Sequence, residues 1–237
     1  MFFKKKEKPV EAPPKPVYKF FPGENEKYIW LQKYNIKNVL DIGAHKGESI
    51  ANMNAIFSEI NIYSFEPIKQ NFVLLNEKYG GKSNVKLYNV ALGEENKMEN
   101  INVNEFTPSS SIMEITEHHT SPFPFTSKTK TEQIEVKRMD SVWNDLGVND
   151  NILAKIDTQG YELSVLKGFG EHLRKIDVFI IETSFKELYK NQPLFSEIYS
   201  FLIEKGFVYI GSWDQLLDPY TGEIIQQDAV FINKAAK

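Results

Sequence analysis

Apolar residues in this chain come in short runs separated by longer amphipathic stretches. Runs at Asn38–Ile42, Asn61–Phe65, 85–91, Ile152–Ile156 and 178–182 are four to seven residues long and bounded by turn residues, which predicts buried strands. Between them lie helical patterns at 47–57, at 67–79 with Pro67 suited to a first helical turn, at 162–173 and at 194–205. Gly80-Gly81 and Gly206 stop the second and last of these. A further short helix is predicted at 24–34, where Tyr28, Leu31 and Tyr34 recur on one face. Strands alternating with helices predict a doubly wound, mostly parallel sheet with helices on both faces. The last two strands, 207–212 and 229–233, are joined by Asp218-Pro219-Tyr220-Thr221-Gly222 with no crossover helix, so they are predicted to pair antiparallel.

The middle breaks this rhythm. Residues 94–137 hold an edge strand at 96–103, the polar run Thr107-Pro108-Ser109-Ser110-Ser111, a loop at 117–125 containing His118 and His119, and a strand at 131–137. A helix follows at Met139–Leu146. Long polar loops inside compact domains are more often functional than decorative, so this insertion is expected to form a lid over an acceptor.

Composition narrows the class. The 237 residues are 41% hydrophobic and 25% charged, enough for one good core in a single domain at 23–237. No apolar stretch approaches the length of a membrane span, and the start lacks a signal-peptide pattern, so a cytoplasmic location is expected. Without cysteine there are no disulfides or thiolate metal sites. The net charge of −4 is uneven: residues 1–19 carry +4, leaving −8 on the body. An acidic body argues against a nucleic-acid partner. The Lys- and Pro-rich segment 1–22 is expected to be a solvated, extended tail.

Two motifs carry the candidate chemistry. Val39-Leu40-Asp41-Ile42-Gly43-Ala44-His45-Lys46-Gly47 is a strand running into a glycine-punctuated turn and a helix. Tyr63-Ser64-Phe65-Glu66-Pro67 is a second strand ending in a carboxylate, placed to accept hydrogen bonds from both hydroxyls of a ribose. The spacing D-x-G-x-x-x-G departs from the G-x-G-x-x-G of pyrophosphate binders, and Asp41 would repel a phosphate. S-adenosylmethionine has no phosphate and carries a sulfonium and an ammonium, so an acidic neighbour favours it over NAD. Gly43 would let backbone approach the ligand, and Gly47 would allow close helix packing.

In such a sheet ligands sit at the carboxyl ends of the strands, near the point where strand order reverses. Asp41, Glu66, Asn89-Val90-Ala91, Asp157 and Glu182 all fall there. The densest group is Asp157-Thr158-Gln159-Gly160-Tyr161-Glu162, in which Glu162 also suits the positive end of the next helix.

Those motifs, with Asn89-Val90-Ala91-Leu92-Gly93, Ser109-Ser110-Ser111 and Lys155-Ile156-Asp157-Thr158-Gln159-Gly160-Tyr161-Glu162 through Leu166-Lys167-Gly168, resemble the FkbM family of S-adenosylmethionine-dependent methyltransferases. The resemblance runs from about Asn38 to Asn233 and is most specific over residues 157–168. It implies a Rossmann-like class I methyltransferase fold with a seven-stranded sheet, and methylation of a hydroxyl on a sugar, a glycan or a polyketide-type small molecule. Carried over, Asp41, Gly43, Ala44, His45 and Gly47 would line the methionine part of the cofactor. Glu66 and Pro67 would hold the ribose, Asn89, Val90 and Ala91 would border the adenine, and Asp157 would lie near the sulfonium and the acceptor.

An aliphatic hydroxyl needs a base as its bond to the methyl forms. The candidates are Asp157 first, Glu182 second, and His118 or His119 third. A variant places Mg²⁺ on Asp157 and Glu182 to lower the acceptor's pKa. A pocket lined by aromatics such as Trp213, Phe123 and Phe125 with scattered polar groups would suit a sugar or a polyketide. The competing readings are an NAD-dependent sugar oxidoreductase or epimerase, disfavoured by the glycine spacing and terminal hairpin, and a non-catalytic nucleotide-binding module. RNA methylation is disfavoured by the acidic body.

Overall fold

The computed structural model describes residues 29–121, 123, 126 and 128–235. The expected tail at 1–22 and residues 24–28 of the expected first helix lie outside them, and the rest of that helix is a 3-10 segment, Ile29–Tyr34. In chain order the elements are β1 (Asn38–Ile42), α1 (Glu48–Ile56), β2 (Asn61–Phe65), α2 (Lys69–Tyr79), β3 (Val85–Tyr88), β4 (Ala91–Leu92), β5 (Lys97–Asn104) and α3 (Glu117–Thr120). They continue with β6 (Thr129–Lys137), α4 (Met139–Leu146), β7 (Ile152–Ile156), α5 (Glu162–Gly168), β8 (Ile176–Ser184), α6 (Phe195–Glu204), β9 (Phe207–Leu217) and β10 (Ile224–Asn233).

Seven strands form the main sheet in the order β3-β2-β1-β7-β8-β10-β9. The strands from β3 to β8 pair in parallel, and β10 runs antiparallel between β8 and β9. The predicted mostly parallel sheet with a terminal antiparallel hairpin is therefore what the chain forms. Strand alternation sends neighbouring side chains to opposite faces, each covered by helices. On one face Leu40, Ile156, Phe179 and Phe231 pack with Trp143, Phe169 and Leu202 of the α4, α5 and α6 side. On the other, Val39, Leu153, Ile180 and Val230 pack with Leu31, Ile50, Met53 and Leu75 of the α1 and α2 side. No helix among the described residues is long and apolar enough to cross a membrane.

Several boundaries differ from the sequence expectation, each for a local reason. The strand expected at 85–91 breaks after Tyr88, because the Asn89 side chain turns to donate to the carbonyls of Glu66 (2.8 Å) and Pro67 (3.0 Å). Ala91–Leu92 then joins a separate three-stranded sheet, β4-β6-β5, in which the expected edge strand lies at the edge. Pro67 precedes α2 rather than opening it, since the Ile68 amide donates to the Glu66 carboxyl and keeps this turn extended. The helix expected at 162–173 ends at Gly168; Gly170 turns left-handed at φ +53°, and the chain goes on as a 3-10 segment. Strands β8, β9 and β10 run longer than expected because the backbone ladder continues through polar and apolar residues alike, as at 213–217 of β9 and 224–228 of β10. His118 and His119 lie on the short helix α3, not in a loop.

Candidate active site

The chain passes from β1 outward to β2 and β3, then returns to β7 on the other side of β1, so strand order reverses between β1 and β7. A cavity of about 490 Å³ opens there, a size suited to a small ligand. One pleat face explains its polarity. By register, Ser64, Asp41, Lys155, Glu182 and Asp228 share the α1 and α2 face of the sheet near its carboxyl edge, forming a polar band beyond the apolar rows below.

At one end of the cavity stands Glu66, 4% exposed. Its two oxygens accept main-chain N–H groups from His45 (2.9 Å) and Ile68 (2.8 Å), and the Asn71 amide lies 3.5 Å from it. Burial pushes its pKa up to about 7, against these hydrogen bonds. The amides of Gly43 and Ala44 both donate to the Phe65 carbonyl at 3.0 Å, tying the glycine turn to the end of β2. Gly43 has φ +86°, and a Cβ there would come 1.9 Å from the Asp157 carbonyl oxygen. Its glycine thus serves a backbone-on-backbone contact with the turn after β7. Phe65, Pro67, Val90, Ala91 and Leu92 complete an apolar slot beside Glu66.

At the other end the Lys155 ammonium donates to Asp157 Oδ2 at 2.8 Å, and the Gln159 amide donates to Asp157 Oδ1 at 2.8 Å and to Glu182 Oε2 at 2.7 Å. Burial would raise Asp157, but the Lys155 charge and these hydrogen bonds more than offset it and leave its pKa below the ordinary value. Glu182 goes the other way: burial, then the charges of Asp157, Glu162 and Asp228, push it well above the usual carboxylate range. Burial also pushes Glu162 up to about 7 even though it accepts the amides of Thr158 (2.9 Å) and Gly160 (3.1 Å). Ile101, Thr107, Pro108, Ser110 and Ile112, from the insertion, line the same cavity. His45 and Thr107 share a hydrogen bond of 2.7 Å, Nε2 to Oγ1, across the seam between glycine turn and insertion.

Gly43, Ala44, His45, Glu66, Pro67, Val90, Ala91, Asp157 and Glu182 all line the cavity. Other expected site residues do not. Asp41 is fully buried beneath the floor, where Ser64 Oγ donates to it at 3.2 Å and burial raises its pKa to about 6. Gly47 packs α1 onto α2, a Cβ there falling 2.3 Å from the Tyr79 ring, and Asn89 braces the Glu66–Pro67 backbone instead of facing a ligand. Glu182 lies inside β8, two residues before its end. His118 is exposed on α3 outside the cavity, and His119 is buried edge-on against Tyr189 at 5.2 Å. Trp213 packs against Trp30, ring centroids 6.5 Å apart, and Phe123 against His119, so neither lines the cavity; Phe125 lies outside the described residues.

Lys155 and Gln159, which belong to the motif of residues 155–168, Thr107 of the polar run, and Asn71 and Asp228 carry no site role in the sequence expectation, yet all five line the cavity. For Lys155 a signal existed, because a lysine inside an apolar strand run needs a buried anion. Among the described residues no group of three or more His, Asp or Glu is arranged to hold a metal. The Lys155 ammonium already sits on Asp157 Oδ2 and the Gln159 amide spans Asp157 Oδ1 and Glu182 Oε2, so this pair does not present the open set of oxygens that Mg²⁺ takes.

The methyltransferase FkbM domain matches residues 41–209. A relative, the 2-O-methyltransferase NoeI of Sinorhizobium fredii, is 25% identical over 161 residues, covering 65% of this chain and 66% of its own length. A crystal structure of the methyltransferase FkbM from Methylobacillus flagellatus KT overlays at a TM-score of 0.52 and 16% identity, across 84% of this chain and 44% of that one. The chain thus spans just under two thirds of the first relative and less than half of the solved chain, and the second likeness bears on fold alone.

Proposed function

Because the chain belongs to the FkbM methyltransferase family, we propose that it transfers a methyl group from S-adenosylmethionine to a hydroxyl of a sugar, a glycan or a polyketide-type small molecule. The observation that carries this reading is a single cavity with two chemically different ends. At the Glu66 end, main-chain N–H groups fix the carboxyl, leaving Oε2 open to one ribose hydroxyl and Oε1, whose second donor is the Asn71 amide at 3.5 Å, to the vicinal one in place of that long contact. The apolar slot of Phe65, Pro67, Val90, Ala91 and Leu92 suits a purine. When bound, S-adenosylmethionine supplies a methyl group already activated by its sulfonium.

At the Asp157 end, Lys155 keeps Asp157 ionised, so its carboxylate balances a nearby cation and accepts the proton of the acceptor hydroxyl. That proton becomes strongly acidic as the oxygen gives up a lone pair, so a carboxylate of depressed proton affinity suffices. Glu182, whose pKa burial and the neighbouring carboxyls push well above the usual carboxylate range, is better suited to orient the acceptor by donating a hydrogen bond than to act as the base. Residues 107–112 of the insertion cover the cavity and exclude water. A hydroxyl acceptor is supported by the name of the 2-O-methyltransferase relative and by the carboxyl-rich, polar character of this end. No step needs a divalent cation.

The test is calorimetry with S-adenosylhomocysteine and with NADH, followed by methyl-transfer assays on neutral sugars, glycans and polyketide alcohols. Binding of the first ligand but not the second is expected, with turnover on at least one hydroxyl acceptor that survives EDTA. Tight NADH binding without S-adenosylhomocysteine binding overturns the reading.

A further inference from the structure

The Gln159 side chain is fully committed. Both protons of its amide nitrogen are used, one on Asp157 Oδ1 at 2.8 Å and one on Glu182 Oε2 at 2.7 Å. Its carbonyl Oε1 accepts the hydroxyl of Tyr189 at 2.7 Å. Tyr189 is fully buried, and its hydroxyl has one other acceptor nearby, the Ser109 carbonyl at 3.3 Å. Turning the amide over would set its oxygen against the Asp157 carboxylate and leave the Tyr189 hydroxyl only the longer Ser109 carbonyl as an acceptor. The backbone is equally constrained: Gln159 sits at φ +55°, in the left-handed region, and its carbonyl accepts Ser111 Oγ at 2.6 Å. Ser109 and Ser111 belong to the insertion, and Asp157 and Glu182 to the main sheet edge, so this residue joins the two.

We propose that Gln159 is the positioning residue of the Asp157 end: its amide holds Asp157 and Glu182 at one spacing, and Tyr189 fixes the way that amide faces. Asp157 then has one fixed donor on each oxygen, Lys155 on Oδ2 and Gln159 on Oδ1, which sets the plane of its carboxylate toward the reacting centre. Ser111 and Ser109 of the insertion thereby touch the same two residues that orient the carboxylate. This inference rests on the methyl-transfer reading above.

The test needs no acceptor. Sinefungin carries an amine where S-adenosylmethionine carries its methylated sulfonium, so it reads the carboxylate facing that position, whereas S-adenosylhomocysteine is uncharged there. Both are titrated calorimetrically into the full chain and into Gln159→Asn and Tyr189→Phe. Asparagine tolerates the left-handed backbone but is too short to bridge both carboxyls, and Tyr189→Phe removes one hydroxyl and guards against a folding defect in the first variant. Sinefungin affinity is expected to fall about tenfold in Gln159→Asn, the scale of one charge-assisted hydrogen bond, and about fivefold in Tyr189→Phe. S-adenosylhomocysteine affinity should stay within about twofold, since that ligand senses no charge change. Equal weakening of both ligands would mean a purely structural role and overturn the proposal, as would unchanged sinefungin binding. Failure of the unaltered chain to bind either ligand instead overturns the methyl-transfer reading on which it rests.

Discussion

The two ends of the cavity are built in different ways. The Glu66 end is held by main chain: amides of Gly43 and Ala44 on the Phe65 carbonyl, and amides of His45 and Ile68 on the Glu66 carboxyl. The Asp157 end is held by side chains from separate segments, with Lys155, Asp157 and Gln159 from β7 and its turn, Glu182 from β8 and Tyr189 from beyond it. Backbone amides are supplied by almost any sequence, so the first end depends on one carboxyl and on the glycine at 43, where a Cβ would meet the Asp157 carbonyl, more than on the other side chains around them. The second is a set of mutually compensating charges, and one substitution unbalances the whole.

The sharpest way to break this contrast is Lys155→Met. It leaves Asp157 without its cation and Asp228 and Asp41 without a favourable charge. Losing one partner of a buried pair costs about 3–5 kcal/mol; the Lys155 and Asp157 side chains are 16% and 31% exposed, so the lower figure, about 3 kcal/mol, is expected by urea denaturation. A loss below about 1 kcal/mol would mean the cluster re-protonates without cost, and the contrast would fail.

Glu162 gives the next largest effect, and it is one of pH. Its pKa rises from 4.5 to about 7 on folding. Between those values the folded chain keeps a proton that the unfolded chain has released, so stability declines as pH climbs from about 4.5 to about 7 and levels off above. Glu162→Gln keeps the oxygen that accepts the Thr158 and Gly160 amides but cannot titrate. It should remove about 2 kcal/mol of the decline between pH 5 and 7.5, leaving the slope that comes from Glu66, raised over the same interval, and from Asp41 and Glu182, which are also raised. Parallel denaturation profiles for both chains would rule this out.

The same contrast explains what could be read from sequence. The main sheet was legible because its strands are buried on both faces and appear as continuous apolar runs, as in β7 and β8. The Glu66 end was legible because its parts are contiguous: a glycine turn and a strand-end carboxylate at fixed spacing. Asp157 was legible in the same way, as a carboxylate at the end of an apolar run, and it lines the cavity. Its partners were not, since nothing in the order of residues says that Tyr189 meets Gln159, thirty positions away, or that Glu182 faces Asp228 across an antiparallel pair. Asp41 misled because a strand-end acid was taken to face the ligand, when its pleat face turns it under the floor toward Ser64. The histidine pair misled because exposure and burial at adjacent positions on α3 depend on what Tyr189 covers.

At the Glu66 end the expected effect is on binding. Glu66→Ala should weaken S-adenosylhomocysteine by about tenfold, about 1.5 kcal/mol, the low end for hydrogen bonds to a carboxylate because this one is partly protonated near pH 7. In the unaltered chain, affinity should rise from pH 6 to pH 8 as Glu66 ionises, and this rise should vanish in Glu66→Gln. A rise that persists in that variant would assign the pH dependence to the other end of the cavity.

The smallest effect tests whether the ends are separable at all. His45 and Thr107 meet at 2.7 Å, the side-chain tie between the glycine turn and the insertion. Burial lowers the His45 pKa, so its ring is neutral near pH 7 and the contact is an ordinary hydrogen bond, worth about 1 kcal/mol. Thr107→Val keeps the shape and removes the hydroxyl. Amides at Ser109 and Ser110, which donate to the Phe106 and Thr107 carbonyls, should then exchange several-fold faster with deuterium. Protection at Asp157, whose amide donates to the Ile42 carbonyl, should not change. Faster exchange at both places would show that the insertion opens together with the Asp157 end, making the His45 seam the hinge of one unit rather than the border between two.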